Sequence, residues 1–144
     1  MKLYKFSKLA RFLSVVIIGS SLLTLGCSKD LELEQCKVNY SKYNYSEAFK
    51  FCSVAAEQGN ASAQYNLGLM YADGLGVKQD YFKAVEWYQK AADQGQSDAQ
   101  FNLGLLYYDG EGVRQNYTKA KEYFGLACDN KDQDGCDMYK KLNQ

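Results

Sequence analysis

A stretch of 36 residues occurs twice in succession in this chain. Residues 63–86 and 99–122 are identical at 16 of 24 aligned positions. A period of this length is typical of solenoid proteins, in which one helical unit cannot bury its apolar face alone and does so against its neighbours. The repeat therefore predicts stacked units, and it constrains the fold more than any other feature of the sequence.

The first part of the unit predicts an amphipathic helix. Apolar side chains recur at i, i+4, i+7 and i+8, on one face of that helix, at Ala63, Leu67, Met70 and Tyr71. Gly68 lies beside this face and recurs as Gly104. Because glycine inside a helix costs about 1 kcal/mol relative to alanine, its return predicts that a second helix approaches closely there.

The second part of the unit predicts a turn and another helix. Residues 73–77 contain two glycines, which adopt the left-handed backbone conformation without strain and so end the first helix. Asp80 is a suitable N-cap for the second helix, which should end near Gly95. The apolar face of this helix consists of Tyr81, Ala84, Val85, Tyr88 and Ala91.

Incomplete units flank the two full ones. Residues that match the second helix occur 36 positions earlier and predict a helix over 45–57. Leu31, Leu33 and Cys36 are expected to form a degenerate, abbreviated first helix before it. At the other end, residues 134–142 depart from the unit and predict a closing cap. Terminal repeats are expected to be atypical because one of their faces meets water.

The first 26 residues have the layout of a secretory signal, with basic residues ahead of an apolar run of 15 residues. A bilayer-spanning helix needs about 20 residues, so a cleaved signal is favoured over an uncleaved anchor. The predicted domains are a signal at 1–26, a tether at 27–33 and a repeat domain at 34–144. The repeat domain comprises a partial unit at 34–60, full units at 61–96 and 97–132, and a cap helix at 133–144.

Charge and composition argue against several kinds of function. Removing the signal leaves 13 basic and 17 acidic residues, a net charge of −4, which argues against a nucleic-acid partner. The sequence contains no histidine, which excludes Ser-His and Cys-His catalysis and histidine metal sites. Residues 130–135 are similar to the start of a calcium loop, but Lys141 stands where a bidentate glutamate is needed. We therefore expect no catalytic residues, no metal and no cofactor.

The unit resembles that of the Sel-one-like repeat family, a relative of the tetratricopeptide repeats. The family pattern is close to A-x-x-N-L-G-x-x-Y-x-x-G-x-G-V, then D-x-x-x-A-x-x-W/Y, then A-A-x-x-G, and the first full copy fills it from Ala63 to Gly95. In the second copy Asn116 replaces the aspartate and Lys131 the last glycine. The resemblance covers residues 36–142. It implies an all-α, right-handed α/α solenoid of two full helix-turn-helix units with partial caps at both ends.

Residues 23–27 resemble the lipobox of bacterial lipoproteins, in which the signal is cut before a cysteine that then carries a lipid. The junction before Cys27 fits, whereas Thr24 and Leu25 depart from the usual residues, so ordinary signal cleavage stays open as an alternative. The resemblance implies a membrane anchor at Cys27 and a location in the cell envelope. In enterobacterial lipoproteins a residue such as Ser28 at the next position implies the outer membrane, facing the periplasm or the cell surface.

If Cys27 is lipidated, the cysteines left for pairing are Cys36, Cys52, Cys128 and Cys136. Four cysteines allow three pairings, and exported chains seldom keep four free thiols, although small buried thiols stay an alternative. The spacing of Cys128 and Cys136 is typical of cysteine-rich exported members of the family, so the resemblance favours that bridge. Cys36 then pairs with Cys52 by default. In the repeat register Cys36 is equivalent to Ala72, and Cys52 is equivalent to Tyr88. This places the two cysteines about one helical turn out of line with each other.

The resemblance also implies where a partner binds. In tetratricopeptide relatives the first helix of each unit lines the concave face, and the side chains one and two positions before the Leu-Gly pair point into the groove. The corresponding residues here are Tyr65, Asn66, Phe101 and Asn102, with Leu69 and Leu105 one turn further on. We therefore expect a non-enzymatic module that binds a protein or peptide partner. Alternatively, the asparagines only satisfy backbone groups between units.

A second hypothesis is an enzyme or binder that acts on β-lactam or cell-wall peptide substrates, because cysteine-rich relatives have been named as β-lactamases. Serine β-lactamases need the motifs S-x-x-K and K-T-G. No serine in this chain has a lysine three positions on, and K-T-G is absent. The sequence therefore favours the interaction module over the enzyme.

Overall fold

The computed structural model of the protein describes residues 30–144. The predicted signal segment and Cys27 lie outside the described residues. Within the described range the chain forms seven helices and no strand. They are α1 (30–41), α2 (Tyr45–Glu57), α3 (Ala61–Asp73), α4 (Tyr81–Ala92), α5 (Ser97–Asp109), α6 (Tyr117–Asp129) and α7 (Gln133–Lys141). None of these helices is both long and apolar enough to cross a bilayer.

The helices follow one another in space as they do in the chain. From α2 onward, each helix packs against the next one. The pair α3 and α4 and the pair α5 and α6 are the two full helix-turn-helix units, and α7 packs on α6 at the C-terminal end. This order is that of an α/α solenoid, and it confirms the all-α fold predicted from the repeat.

Polar side chains and glycines define where the helices begin and end. Four helices begin at a side chain that accepts a hydrogen bond from the backbone N–H three residues on, at 2.6 to 3.1 Å. These N-caps are Asn60, Asp80, Asn116 and Asp132. α3 and α5 end at Gly74 and Gly110, which have the left-handed φ values of 70° and 78°. The predicted N-cap and the predicted glycine turn are both confirmed.

Within each full unit, a glycine lets the two helices come into contact. A Cβ atom on Gly68 would lie 2.5 Å from the Tyr88 ring, and one on Gly104 would lie 2.5 Å from the Phe124 ring. Both rings are buried, so they pack directly against bare helix backbone. The close approach predicted from the recurring glycine is confirmed.

Buried glutamines join successive units. The Gln64 side chain donates from Nε2 to the carbonyl of Ala56 at 3.1 Å, and Gln100 donates to that of Ala92 at 3.2 Å. The two carbonyls lie in the last turns of α2 and α4, and each also accepts a backbone N–H, from Gly59 at 3.0 Å and from Gly95 at 2.9 Å. Each glutamine therefore adds a second hydrogen bond to a carbonyl at the end of the preceding unit and lies buried between the units.

A second pair of glycines lets the turn of one unit rest on the preceding unit. Gly76 and Gly112 have φ values of 70° and 67°. A Cβ atom on Gly76 would overlap the backbone of Tyr45, and one on Gly112 would overlap that of Tyr81. These positions need glycine both for its left-handed conformation and for the absence of a side chain.

The N-terminal end differs from the prediction in its helix and its tether. α1 covers 30–41, so the first helix of this pair is not abbreviated, and residues 30–33 of the predicted tether are helical. The physical reason is packing, because Leu33 contacts a buried cluster formed by Ala55, Ala56, Ala63 and Leu67. The shortened part is instead the connection from α1 to α2, which has three residues where the full unit has seven.

This shorter connection changes the register of α1 against the repeat. With four turn residues missing, Cys36 takes the position of Gly68 and not that of Ala72. A disulfide joins Cys36 to Cys52, with the Cα atoms 4.7 Å apart and both side chains buried. Cys52 is one period before Tyr88, so the disulfide replaces the glycine-tyrosine contact of the full units. The expected misalignment of one turn was wrong because it assumed a turn of constant length.

The second disulfide joins Cys128 in α6 to Cys136 in α7, with the Cα atoms 4.4 Å apart. Cys128 lies one period after Ala92, and Cys136 lies one period after Gln100. The bridge therefore replaces the hydrogen bond from glutamine to carbonyl that joins the preceding units. The favoured pairing and the one given by default are both present in the structure.

The C-terminal cap buries little of its own surface. The buried residue of α7 is Gly135, whose Cβ position would lie 2.7 Å from the Ala127 side chain. The turn before the cap contains Lys131 at φ 70°, where the two earlier units have glycine at positions 59 and 95. The disulfide between Cys128 and Cys136 thus holds α7 on α6 at a place where α7 buries little apolar surface.

Candidate functional site

A groove of about 220 Å³ lies between α3 and α5, the first helices of the two full units. Its lining residues are Leu69, Ala72 and Asp73 from α3, Tyr81 and Tyr88 from α4, Asn102, Leu105, Leu106 and Asp109 from α5, and Glu111 from the following turn. We call this surface the α3–α5 groove. It is smaller than the roughly 300–1,000 Å³ of most small-molecule sites, and its size suits individual side chains of a longer ligand.

Three of the six predicted binding residues line this groove. They are Leu69, Asn102 and Leu105, which α3 and α5 bring to one surface. Tyr65 lies next to it, since its ring centroid is 5.9 Å from that of Tyr88. Phe101 instead packs within its own unit, 5.6 Å from the centroid of Phe124.

The two predicted asparagines have different surroundings although they are one period apart. The Asn102 side chain lies beside Tyr65 and Tyr88, where it lowers the pKa of both hydroxyl groups against the raising effect of burial. The Asn66 side chain points at the N-terminal disulfide, with Nδ2 3.7 Å from Sγ of Cys36. The helix pair before Asn66 contributes a disulfide, whereas the helix pair before Asn102 contributes two tyrosines. Asn102 lines the α3–α5 groove, and Asn66 does not.

The tyrosines of this region keep their protons at neutral pH. Burial raises the pKa of Tyr88, and nearby Tyr65 and Asp73 raise it further. Burial likewise raises the pKa of Tyr65 first, followed by the charge of Asp98, while Asn102 lowers it. Desolvation and the carboxylate of Glu111 raise the pKa of Tyr81. These hydroxyl groups therefore stay neutral and can both donate and accept hydrogen bonds.

The charged residues of the groove are all acidic. Asp73, Asp109 and Glu111 line it, and no lysine or arginine does. The sequence contains no histidine to add a positive charge. The salt bridge found within residues 30–144 joins Lys50 to Glu47 on α2. The groove therefore has an apolar and tyrosine-lined interior with an uncompensated negative charge.

Sequence reasoning missed these carboxylates and Tyr81. The sequence predicts residue 73 only as part of the turn at 73–77, Tyr81 only as part of an apolar face, and Asp109 as part of no site. A signal was available, because Asp73 lies four residues after Leu69 and Asp109 four residues after Leu105. Residues at that spacing share one helix face, so both carboxylates continue the predicted binding face.

The groove presents amide, hydroxyl, carboxylate and apolar side chains. Amide and hydroxyl groups lie beside apolar side chains, a combination that orients an extended chain. Among the described residues, no group of three or more metal-ligating side chains could hold a metal ion.

Stacked helix pairs with a groove between their first helices define a class of protein, the α/α repeat solenoids. The sequence pattern of the Sel1 repeat matches residues 39–60, 61–96 and 97–132. The chain therefore belongs to the Sel1 repeat family, whose members generally serve as scaffolds for protein interactions. The resemblance inferred from the unit pattern is confirmed, with the earliest match starting inside α1.

Solved structures with the same fold support this assignment. A Sel1 repeat protein from Oxalobacter formigenes is 32% identical, with a TM-score of 0.66, covering 72% of this chain and 45% of that one. A protective antigen of uropathogenic Escherichia coli displaying an SLR fold is 34% identical, with a TM-score of 0.68, covering 80% and 26%. Cysteine rich protein B of Helicobacter pylori is 28% identical, with a TM-score of 0.66, covering 80% and 94%.

The chain thus spans less than half of the length of the first two of these proteins. No protein of curated function matches the sequence. The cysteine-rich relative and the two disulfides are consistent with an exported protein.

Proposed function

We propose that this protein is a non-enzymatic interaction module that binds an extended peptide, or a segment of a protein partner, in the α3–α5 groove. The observation that carries this proposal is the convergence of Leu69, Asn102 and Leu105 on one open surface between two units. The side chains are partly exposed, so they are available to a ligand. The scaffold role of the family agrees with it.

Asn102 is the residue most suited to hold a peptide backbone. An amide side chain both donates and accepts, as a peptide group does. The Tyr65 and Tyr88 side chains lie beside it, and Leu69 and Leu105 of the same groove provide apolar contact. Preorganised polar groups beside apolar surface lower the entropy cost of binding a flexible ligand.

Asn102→Ala should weaken binding of peptides that are selected from a random display library on the purified chain. Loss of one peptide hydrogen bond of about 1.4 kcal/mol corresponds to about tenfold in affinity. Asn66→Ala is a matched control, because it changes the same residue type at the same repeat position outside the groove. It should leave the affinity within about twofold. Fluorescence anisotropy with the selected peptides measures both effects.

The same variants distinguish the alternative role of the asparagines. If Asn102→Ala lowers the melting temperature strongly but keeps the peptide affinity, its role is structural. If the selected peptides bind the unchanged protein, Asn102→Ala and Asn66→Ala with equal affinity, the groove is not the binding surface and the proposal fails.

The proposed location is the cell envelope, with a lipid on Cys27 as the membrane anchor. The support is the lipobox-like segment 23–27 and the domain that follows it within a few residues. A single acyl chain gives only marginal membrane binding, whereas a lipoprotein anchor with several chains is stable. The outer membrane, facing the periplasm or the surface, is the proposed site.

Cys27→Ser should abolish incorporation of labelled palmitate and move the protein from the detergent phase to the aqueous phase. The physical reason is that the hydroxyl of serine does not form the thioether that holds the lipid. Ser28→Ala is the control and should keep both the label and the partitioning. Labelling and detergent-phase partitioning of Cys27→Ser equal to those of the unchanged chain would refute the anchor.

A further inference from the structure

The carboxylates of the α3–α5 groove are exposed to solvent. Asp73 and Asp109 end α3 and α5, and Glu111 follows in the turn after α5. Within the described residues none of the three forms a salt bridge. Several like charges at a concave surface focus a negative potential, which attracts a positively charged ligand.

The interior of the groove suits the stem of a long cationic side chain. Lysine and arginine lay their methylene groups on apolar surface while the charged head stays at a polar rim. Leu69 and Leu105 supply that apolar surface, Tyr81 adds a half-buried aromatic ring, and the buried Tyr88 side chain borders it. A cation also gains from the face of a tyrosine ring within about 6 Å.

The protein uses such contacts elsewhere. Lys83 Nζ lies 5.2 Å from the centroid of the Tyr71 ring, and Lys119 Nζ lies 5.0 Å from that of Tyr107. These two pairs are one period apart, so the repeat places a lysine over a tyrosine in each full unit. In the α3–α5 groove the rings and carboxylates are present, and no cation of the chain lines it.

We infer that the α3–α5 groove selects an extended peptide carrying a lysine or arginine side chain, with Asp73, Asp109 and Glu111 holding the cation. The inference rests on the proposed function and adds the chemistry of the partner. The volume of about 220 Å³ admits one such side chain and not a bulky folded element. Charge complementarity therefore decides the occupant, and the apolar floor holds its stem.

Three capped pentapeptides that differ only at the central residue test this inference. They carry arginine, its neutral isostere citrulline, or glutamate, and backbone amide shifts of the purified chain report the binding site. The arginine peptide should shift the amides of α3 and α5, and the citrulline peptide should bind about tenfold more weakly. The glutamate peptide should not bind. Raising the salt concentration should weaken arginine binding, because exposed charges are screened.

Matched triple variants separate the groove charges from the net charge. Asp73→Asn, Asp109→Asn and Glu111→Gln together should bring the affinity for the arginine peptide down to that for citrulline. The control replaces three exposed acidic residues outside the groove, Glu122→Gln, Asp129→Asn and Asp134→Asn. It changes the net charge equally and should keep the preference for arginine.

The possible results decide the inference separately from the proposed function. Equal binding of arginine and citrulline peptides in the groove would overturn the selection of a cation and leave a peptide-binding groove in place. Amide shifts outside α3 and α5, or no shifts with any of the three peptides, would overturn the inference. The proposed function is then tested separately by the affinity of the selected library peptides. Shifts of the same amides on raising the protein concentration alone would assign the groove to a second copy and also overturn it.

Discussion

Gly112→Ala should destabilise the protein strongly, because it adds a methyl group where the turn has no room for one, as at Gly76. The new Cβ atom would overlap the backbone of Tyr81 in the preceding unit, and φ at this position is 67°. A left-handed conformation costs a residue with a Cβ atom about 1–2 kcal/mol, and overpacking adds about 1–3 kcal/mol. We therefore expect the free energy of unfolding to fall by about 3 kcal/mol or more. Chemical denaturation measures this loss.

Gly95→Ala is the matched control for this substitution. Its φ of +83° imposes the same backbone strain, but no atom lies within 4 Å of the added Cβ position. It should therefore cost only about 1–2 kcal/mol. The difference between the two variants measures the close approach of successive units. Equal losses for the two alanines would contradict the packing of the turn on Tyr81.

Removing the C-terminal disulfide by Cys128→Ala with Cys136→Ala should release α7 before the rest of the domain. Closing a loop of about nine residues stabilises by about 2.5 kcal/mol in the chain-entropy treatment. α7 buries little surface to compensate for that loss. Amide hydrogen exchange should show reduced protection over Gln133–Lys141 and retained protection in α3, α4 and α5.

The other disulfide provides the control for the location of this effect. Cys36→Ala with Cys52→Ala removes a buried bridge between α1 and α2. That variant should reduce protection at the N-terminal end and leave α7 protected. If removal of the C-terminal bridge lowers protection equally in all helices, the bridge stabilises the whole domain and not the cap.

The two asparagines show that equivalent positions in a repeat can have different surroundings. Asn66 and Asn102 are equivalent in sequence, and the prediction treated them as one binding site in two copies. In the structure one faces a disulfide and the other faces two tyrosines. The difference arises in the preceding helix pair, where Cys36 and Cys52 replace the glycine and the tyrosine of the full unit.

Sequence alone determined the features that depend on short-range interactions. The helix over 45–57, the N-cap at Asp80, the glycine turn after Asp73 and the contact implied by Gly68 all follow from spacing or backbone preference. Each involves residues within one unit, so the period of 36 residues reports it directly. The α/α solenoid follows as well, because units that cannot bury their apolar faces alone must stack.

Only the tertiary structure decided the features that depend on contact between units. The register of α1 changed because four turn residues are missing, and this brought Cys36 opposite Cys52. The groove and its acidic rim exist because α3, α4 and α5 contribute side chains to one surface, which brings Asp73 together with Asp109 and Glu111. A repeat specifies what each unit contains, but the partners of a side chain at a unit boundary depend on which unit precedes it.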